Sequence, residues 1–359
     1  MRALIAAGGT GGHIYPALAV AQEIMRRAPD SIVKFVGTAR GLETRLVPQA
    51  GFELSLIESS GLVNMGLVAR ARGVALLPRS FFAARRLIRN LRPEIVVGAG
   101  GYVTGPVLLT AALMRLPTLV MESNAIPGFT NRRLARFVRA AAVSFDVTVP
   151  YFAGKAVVTG NPVRPEFFEI PAKQRDANRI SILLFGGSQG SRALNDAMIE
   201  ALPLLAMERD KLHITHQTGP NDFERVQLAY EASGWAGHAD VRAYIDNMVQ
   251  SFTDADLIIS RAGATSSAEL AAAGRAAIMV PLPGQLEQQR NAEVLQKVGG
   301  ARMILQSQLS GEGLAEEIKA LVAAPERISE MEHAVRTLAK PGAAAATVDL
   351  IERLIGRSG

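Results

Sequence analysis

Three glycine-rich turns carry the first chemical signal in this chain. Gly8-Gly9-Thr10-Gly11-Gly12-His13 follows the apolar run Ala3–Ala7, Gly98-Ala99-Gly100-Gly101-Tyr102 follows Ile95–Val97, and Gly186-Gly187-Ser188-Gln189-Gly190 follows Ile182–Phe185. Turns without Cβ atoms let backbone approach a phosphate, and a helix start behind them offers unpaired N–H groups and a positive dipole end. One such turn often only closes a tight connection; three, in corresponding places of two halves, point to paired nucleotide-type domains. A second signal is Arg261-Ala262-Gly263-Ala264-Thr265-Ser266-Ser267-Ala268-Glu269. Its small residues leave N–H groups open for an α- or β-phosphate, Thr265 and Ser266 add hydroxyl donors, and Glu269 lies about one helical turn on. There it can accept two hydrogen bonds from a ribose diol, or serve as an ordinary first-turn carboxylate favoured by the dipole. Gln288 and Gln289 supply adjacent amides that donate and accept, as sugar hydroxyls require.

These residues need a scaffold, and the apolar pattern supplies one. Short runs at Ala3–Ala7, Ile32–Val36, Leu54–Ile57, Ile95–Val97, Pro117–Met121 and Ala141–Phe145 alternate with helical stretches, notably Ser80–Leu91 and Thr104–Met114. Gly160-Asn161-Pro162-Val163-Arg164-Pro165 reads as a linker. The alternation restarts at Ile180–Phe185, Leu212–Thr215, Leu257–Ser260, Ala276–Val280 and Ala301–Leu305, with helices at Arg192–Leu205, Thr265–Ala273 and Glu287–Val298. Continuous apolar strands between helices mean parallel sheets covered on both faces. The expected division is residues 1–160, residues 161–340, and a C-terminal helix over 341–359 that packs back on the first domain through Val348, Ile351, Leu354 and Ile355. Two doubly wound, Rossmann-like domains would face a cleft at the carboxyl ends of their strands. A nicotinamide enzyme starts weak, because GGTGGH is not G-x-G-x-x-G.

The 359 residues exceed one ordinary core. The absence of cysteine excludes disulfides and thiolate metal sites. The chain opens on a strand without a basic–apolar leader, and no apolar run of ~18 residues occurs. Charge is uneven: residues 1–162 hold 19 Lys+Arg against 8 Asp+Glu, whereas the remainder hold 20 against 25. The basic first half suits an anionic surface or polymer, or is simply a solvated arginine-rich face.

In order along the chain, GGTGGH at 8–13, GAGGYVTGP at 98–106, ESNAIPGFTNR at 122–132, GNPVRPEFF at 160–168, GGSQGS at 186–191, HQTG at 216–219, YIDNM at 244–248, SRAGATSSAEL at 260–270 and QLEQQRNA at 285–292 make a specific set. The chain resembles the MurG family, glycosyltransferase family 28, over nearly its whole length. One departure is Ser123, where the family usually has Gln. The resemblance implies a GT-B fold and transfer of N-acetylglucosamine from UDP to the C4 hydroxyl of a lipid-linked muramyl-pentapeptide, with inversion. By matching motif, Arg164, Ser188, Ile245, Ala264, Thr265, Ser266, Glu269 and Gln289 would hold the donor. Glu269 would take the ribose, Ile245 would take the uracil through its backbone, and Gln289 with Gln288 would read the sugar. Thr10, Gly11, Gly12 and Asn124 would reach the donor from the other domain, and Gly9, Gly100, Gly101 and Tyr102 would meet the acceptor diphosphate.

A single displacement needs one base beside the acceptor hydroxyl. His13 fits, since imidazole titrates near working pH; it could equally only fix its turn, and Glu122 is the second candidate. The lone Asp-x-Asp, Asp254-Ala255-Asp256, precedes a buried strand and reads as a solvated turn, so no essential metal or cofactor is expected. Leu76, Leu77, Phe81, Phe82, Leu87 and Ile88, interspersed with Arg70, Arg72, Arg79, Arg85, Arg86, Arg89 and Arg92, form an apolar patch ringed by arginines, or the inward face of a core helix. The patch reading implies a peripheral protein on the cytoplasmic face of an anionic membrane, with no nucleic-acid partner. The competing readings are a UDP-sugar transferase with a soluble acceptor and a non-catalytic nucleotide-sugar-binding scaffold.

Overall fold

Apolar runs closed by glycine or proline fold as short parallel strands, and the longer amphipathic stretches between them fold as helices. The computed structural model describes residues 1–59, 67–173 and 179–356, without the side chains of 67–75. The chain divides into two units, Met1–Val163 with Lys340–Gly359, and Arg164–Ala339. The first holds β1 (Arg2–Ala7), β2 (Ile32–Gly37), β3 (Glu53–Leu56), β4 (Ile95–Gly100), β5 (Thr118–Glu122), β6 (Ala140–Val143) and β7 (Ala156–Val158). They form one parallel sheet in the order β3-β2-β1-β4-β5-β6-β7. Its helices are α1 (Gly11–Arg27), α2 (Glu43–Gln49), α3 (Leu67–Leu91), α4 (Thr104–Leu113) and α5 (Phe129–Leu134). Strand order reverses between β1 and β4, so the loops that leave these two strands diverge and open a crevice. Those loops are Gly8–Gly12 and the turn that ends in Tyr102.

The second unit has β8 (Ile180–Phe185), β9 (Leu212–Gln217), β10 (Ala239–Arg242), β11 (Leu257–Ser260), β12 (Ala276–Met279) and β13 (Ala301–Met303), in the parallel order β10-β9-β8-β11-β12-β13. Its helices are α6 (Arg192–Ala201), α7 (Phe223–Ala232), α8 (Met248–Asp254), α9 (Ala264–Ala273), α10 (Leu286–Lys297), α11 (Gly311–Val322) and α12 (Pro325–Arg336). Here the reversal falls between β8 and β11, which places Gly186–Gly190 and Arg261–Gly263 at the same kind of crevice. In each unit the chemistry-bearing loops thus leave the strands on either side of the reversal.

The last helix, α13 (Ala343–Leu354), belongs to the first unit. Val348, Leu350 and Ile351 are buried in one cluster with Ile14, Ala17, Ala21 and Ile24 of α1. Arg27 fastens the pair through Asp349 at 2.6 Å, Glu352 at 3.0 Å and the Ala345 carbonyl at 3.1 Å. Two strands escape the sequence pattern. β7 is a three-residue edge strand, and β10 is an edge strand whose Ala239-Asp240-Val241-Arg242 is half charged, so neither presents the longer apolar run by which the others stand out. The helix expected at Arg192–Leu205 stops at Ala201 and gives way to a 3-10 stretch over Pro203–Lys211; Leu202 keeps helical backbone, but Pro203 has no N–H to continue the α-helical ladder.

Candidate active site

In the first unit the site is built by one turn packed on another. His13 sits in the first turn of α1, and its Nδ1 lies 3.1 Å from the Gly8 carbonyl. A carbonyl only accepts, so Nδ1 carries the proton and Nε2 is left as the basic nitrogen. The backbone of Gly100, at φ +121°, lies against this ring; a Cβ there would run into the imidazole. Gly101, at φ +85°, abuts the Gly8 carbonyl in the same way. Buried Thr104 pins the second turn: its hydroxyl donates to the Gly100 carbonyl, 2.9 Å away, and accepts from the Gly100 N–H at 3.1 Å. These glycines are therefore required by the packing of two turns around His13, before any phosphate enters. Thr10 caps α1 with no side-chain hydrogen bond, and no acidic residue lies in the first helical turn.

Two carboxylates brace this site. Glu43, fully buried, accepts from the Gly9 N–H at 2.9 Å and from the Thr38 N–H and hydroxyl at 2.9 and 2.8 Å. The Gly9 carbonyl meanwhile accepts from the Leu42 N–H at 3.1 Å. Gly9 thus spends its backbone groups inside the fold, so an acceptor diphosphate would depend on its neighbours. Glu122, at the end of β5, accepts from the Asn124 N–H at 3.0 Å, Asn124 Nδ2 at 3.0 Å, the Gly128 N–H at 3.1 Å and Asn131 Nδ2 at 2.9 Å. Burial pushes its carboxyl above the ordinary range, and the four donors oppose that shift. With its lone pairs so engaged, Glu122 is placed to tie the loop 123–131 rather than to receive a substrate proton. Asn124 is turned toward Glu122. Ser123, at the position of the family's usual Gln, donates to Asn161 Oδ1 at 3.0 Å. Tyr102 is exposed, and its carbonyl accepts from Ser59 Oγ at 2.9 Å.

In the second unit Gly263 caps α9 without a side-chain bond. The Thr265 hydroxyl oxygen is buried with no partner among the described residues, an unsatisfied group that a ligand oxygen would satisfy. Half-buried Glu269 is pushed up to about 7 by loss of water, while nearby Arg164 pulls it down. The Arg164 guanidinium is exposed and stacks 4.9 Å from the Phe167 ring centre. Ser188 is exposed at the tip of the turn between β8 and α6. Ile245 is buried, and its N–H donates to Gln217 Oε1 at 2.8 Å. Gln288 is engaged by its own loop: it accepts from the Leu282 N–H and donates to Gln285 Oε1, both at 3.0 Å, which fixes the chain before α10. Gln289 donates to Glu293 at 3.0 Å. The two amides therefore do not act as a matched pair.

Asp254 and Asp256 are not the solvated turn expected. Asp254 ends α8, whereas Asp256 is buried and accepts from the Ser181 N–H at 2.8 Å, joining β11 to β8. Among the described residues no group of three or more His, Cys, Asp or Glu is placed to hold a metal ion. Of the arginine-ringed patch, Arg70 and Arg72 have side chains outside the described residues. Ile88 is in the core and Leu87 packs against it. Phe82 stands out of α3 at 75 % exposure, with Arg79, Arg85, Arg86, Arg89 and Arg92 also exposed. One face of the helix is thus a core stripe, and the other carries Phe82 among exposed arginines rather than a broad apolar patch. Sequence reading missed Glu43, Thr104 and Gln217; Gln217 lies inside the HQTG run but showed no chemistry until its neighbours were known.

The model of the glycosyltransferase family 28 N-terminal domain matches residues 3–143, and that of the C-terminal domain matches residues 181–352. The chain is 46% identical to the UDP-N-acetylglucosamine--N-acetylmuramyl-(pentapeptide) pyrophosphoryl-undecaprenol N-acetylglucosamine transferase of Anaeromyxobacter dehalogenans (strain 2CP-C), covering 99% of this chain and 94% of the relative. It is 42% identical to the protein so named in Geobacter sulfurreducens, over 97% of each chain. Among solved structures it superimposes on Acinetobacter baumannii MurG with a TM-score of 0.82 and 34% identity, covering 98% of this chain and 99% of that one. The chain belongs to glycosyltransferase family 28, and its two parallel-sheet units are those of a GT-B glycosyltransferase.

Proposed function

We propose that this protein is an inverting glycosyltransferase that moves N-acetylglucosamine from UDP-N-acetylglucosamine to the C4 hydroxyl of undecaprenyl-diphospho-N-acetylmuramyl-pentapeptide, making a β-1,4 bond in peptidoglycan synthesis. The observation that carries the mechanism is the 3.1 Å contact of His13 Nδ1 with the Gly8 carbonyl. With Nδ1–H held by Gly8, Nε2 can take the proton of the acceptor hydroxyl as its oxygen attacks the sugar C1. The C1–O bond to UDP breaks, and its electron pair leaves with the diphosphate. Arg164, the backbone around Ser188 and the α9 N-terminus with Thr265 and Ser266 offset that growing charge. Glu269 accepts from the ribose diol. Ile245 holds the uracil through its carbonyl, since its N–H is committed to Gln217; Gln289 reads the sugar. The N-terminus of α1 and the turn at Gly100–Tyr102 receive the acceptor diphosphate.

The acceptor is a lipid, and the exposed strip of α3 around Phe82 is the surface for an anionic leaflet. Among the described residues no helix is long and apolar enough to cross a membrane, so contact is proposed to be peripheral, on the cytoplasmic face. The deciding experiment is transfer of labelled N-acetylglucosamine from its UDP conjugate to the lipid-linked muramyl-pentapeptide. Label appearing in the lipid product supports the reading; donor turnover only with a soluble acceptor would replace it.

A further inference from the structure

The end of β9 does something that the donor assignment leaves unexplained. The sheet register sets Gln217 level with Phe185 of β8 on one side and Arg242 of β10 on the other. These are the last residues before the turn bearing Ser188 and the loop bearing Ile245. The Gln217 side chain is buried and reaches both. Nε2 donates to the Gly187 carbonyl at 3.0 Å, and Oε1 accepts from the Ile245 N–H at 2.8 Å. One partner is a carbonyl and the other an N–H, so the amide has one possible orientation, and it meets both partners without taking up a charge or a proton. The next residues repeat the pattern through backbone. Thr218 N–H donates to the Arg242 carbonyl at 3.0 Å and Gly219 N–H to the Ala243 carbonyl at 3.1 Å. The Thr218 carbonyl accepts from Asn195 Nδ2 at 3.0 Å, and Asn195 Oδ1 lies 3.0 Å from Nε2 of the buried His216.

We propose that Gln217 is a positioning residue that sets the spacing between the phosphate turn and the base-holding loop, so that the second unit reads uracil and diphosphate together. This rests on the donor assignment made above. Wild type, Gln217→Met and Gln217→Glu should be titrated with UDP, CDP and UMP, and assayed for kcat and the KM of each substrate. The Met variant keeps the shape and loses both bonds. We expect UDP affinity to fall about tenfold or more, equivalent to about 1.4 kcal/mol, with the UDP-over-CDP and UDP-over-UMP preferences both reduced. Donor KM should rise while acceptor KM and kcat hold. Titrated at a pH high enough to ionise its carboxyl, the Glu variant still accepts from Ile245 but sets an acceptor against the Gly187 carbonyl, so only the UDP-over-UMP preference should fall; at lower pH the protonated carboxyl donates to Gly187 and that preference should return. Unchanged preferences in both variants, parallel loss of both preferences in the Glu variant, or a fall in kcat at constant donor KM would overturn the proposal. Should the Met variant lose its folded transition, the Glu variant decides alone. A wild type without preference for UDP over CDP would instead refute the donor assignment.

Discussion

The role proposed for His13 depends on neighbours that carry no catalytic chemistry of their own. The Gly8 carbonyl selects its tautomer, and Gly100 leaves room for its ring. His13→Ala should lower turnover by ~10²–10⁴-fold with donor affinity nearly constant. Gly100→Ala should lower it too, since the new methyl displaces the imidazole at a φ that alanine resists. A Gly100→Ala enzyme with wild-type kcat would show that the ring is free to move. Glu269 makes a second test, with a definite sign. Burial raises its carboxyl to about 7, so the donor-free protein retains that proton until the pH approaches 7. A ribose diol donates to the ionised form. UDP affinity should therefore climb as pH rises from 5 toward about 7 and then level off. Calorimetry should find that slope gone in Glu269→Gln, and binding weaker by roughly 1.5–3 kcal/mol in Glu269→Ala. A flat wild-type profile would detach Glu269 from the ribose. The glycine turns, and the places of His13 and Glu269 near helix starts, were legible in sequence because residue type and spacing mark such turns; the roles proposed for the two side chains await the tests above. Glu43, Gln217 and the loop contacts of Gln288 were not legible, since each is defined by a partner distant in the chain or by a rotamer that composition does not encode.

At the scale of elements, alternation of apolar runs and helices disclosed most strands, and failed at two sheet edges, β7 and β10, where no run of four or more apolar residues marks the strand. Helix α3 shows a different limit. Its sequence is compatible with core and with membrane contact, and only packing tells Ile88, buried against the sheet, from Phe82, which stands clear of it. The two residues make a paired test. Phe82→Ser should reduce binding to anionic vesicles while the thermal midpoint stays put. Ile88→Ser should lower the midpoint. Raised salt should weaken vesicle binding without abolishing it, because arginines near a charged leaflet contribute about 1 kcal/mol each and are screened within a Debye length, whereas the ring is not. Vesicle binding equal to wild type in Phe82→Ser would move the docking surface elsewhere.

At the scale of the whole chain, the first unit is discontinuous, closed by residues 340–359. Deleting 341–359 removes Val348, Leu350 and Ile351 from the face of α1, each a burial of roughly 1.5–3 kcal/mol. The first unit should then melt at lower temperature, while UDP still raises the melting point of the second. Calorimetry resolves the two, and an unshifted first-unit transition would mean that α13 is ornamental. The same discontinuity bears on how the protein is made. Translation delivers residues 164–339 before 340–359, so the second unit can close while the first is still unfinished. Domains of most chains mature in the order of their synthesis; here the half begun first is finished last. Until the final helix emerges, the nascent chain shows the apolar side of α1 to the cytosol, which makes this interval the one in which a chaperone has something to hold.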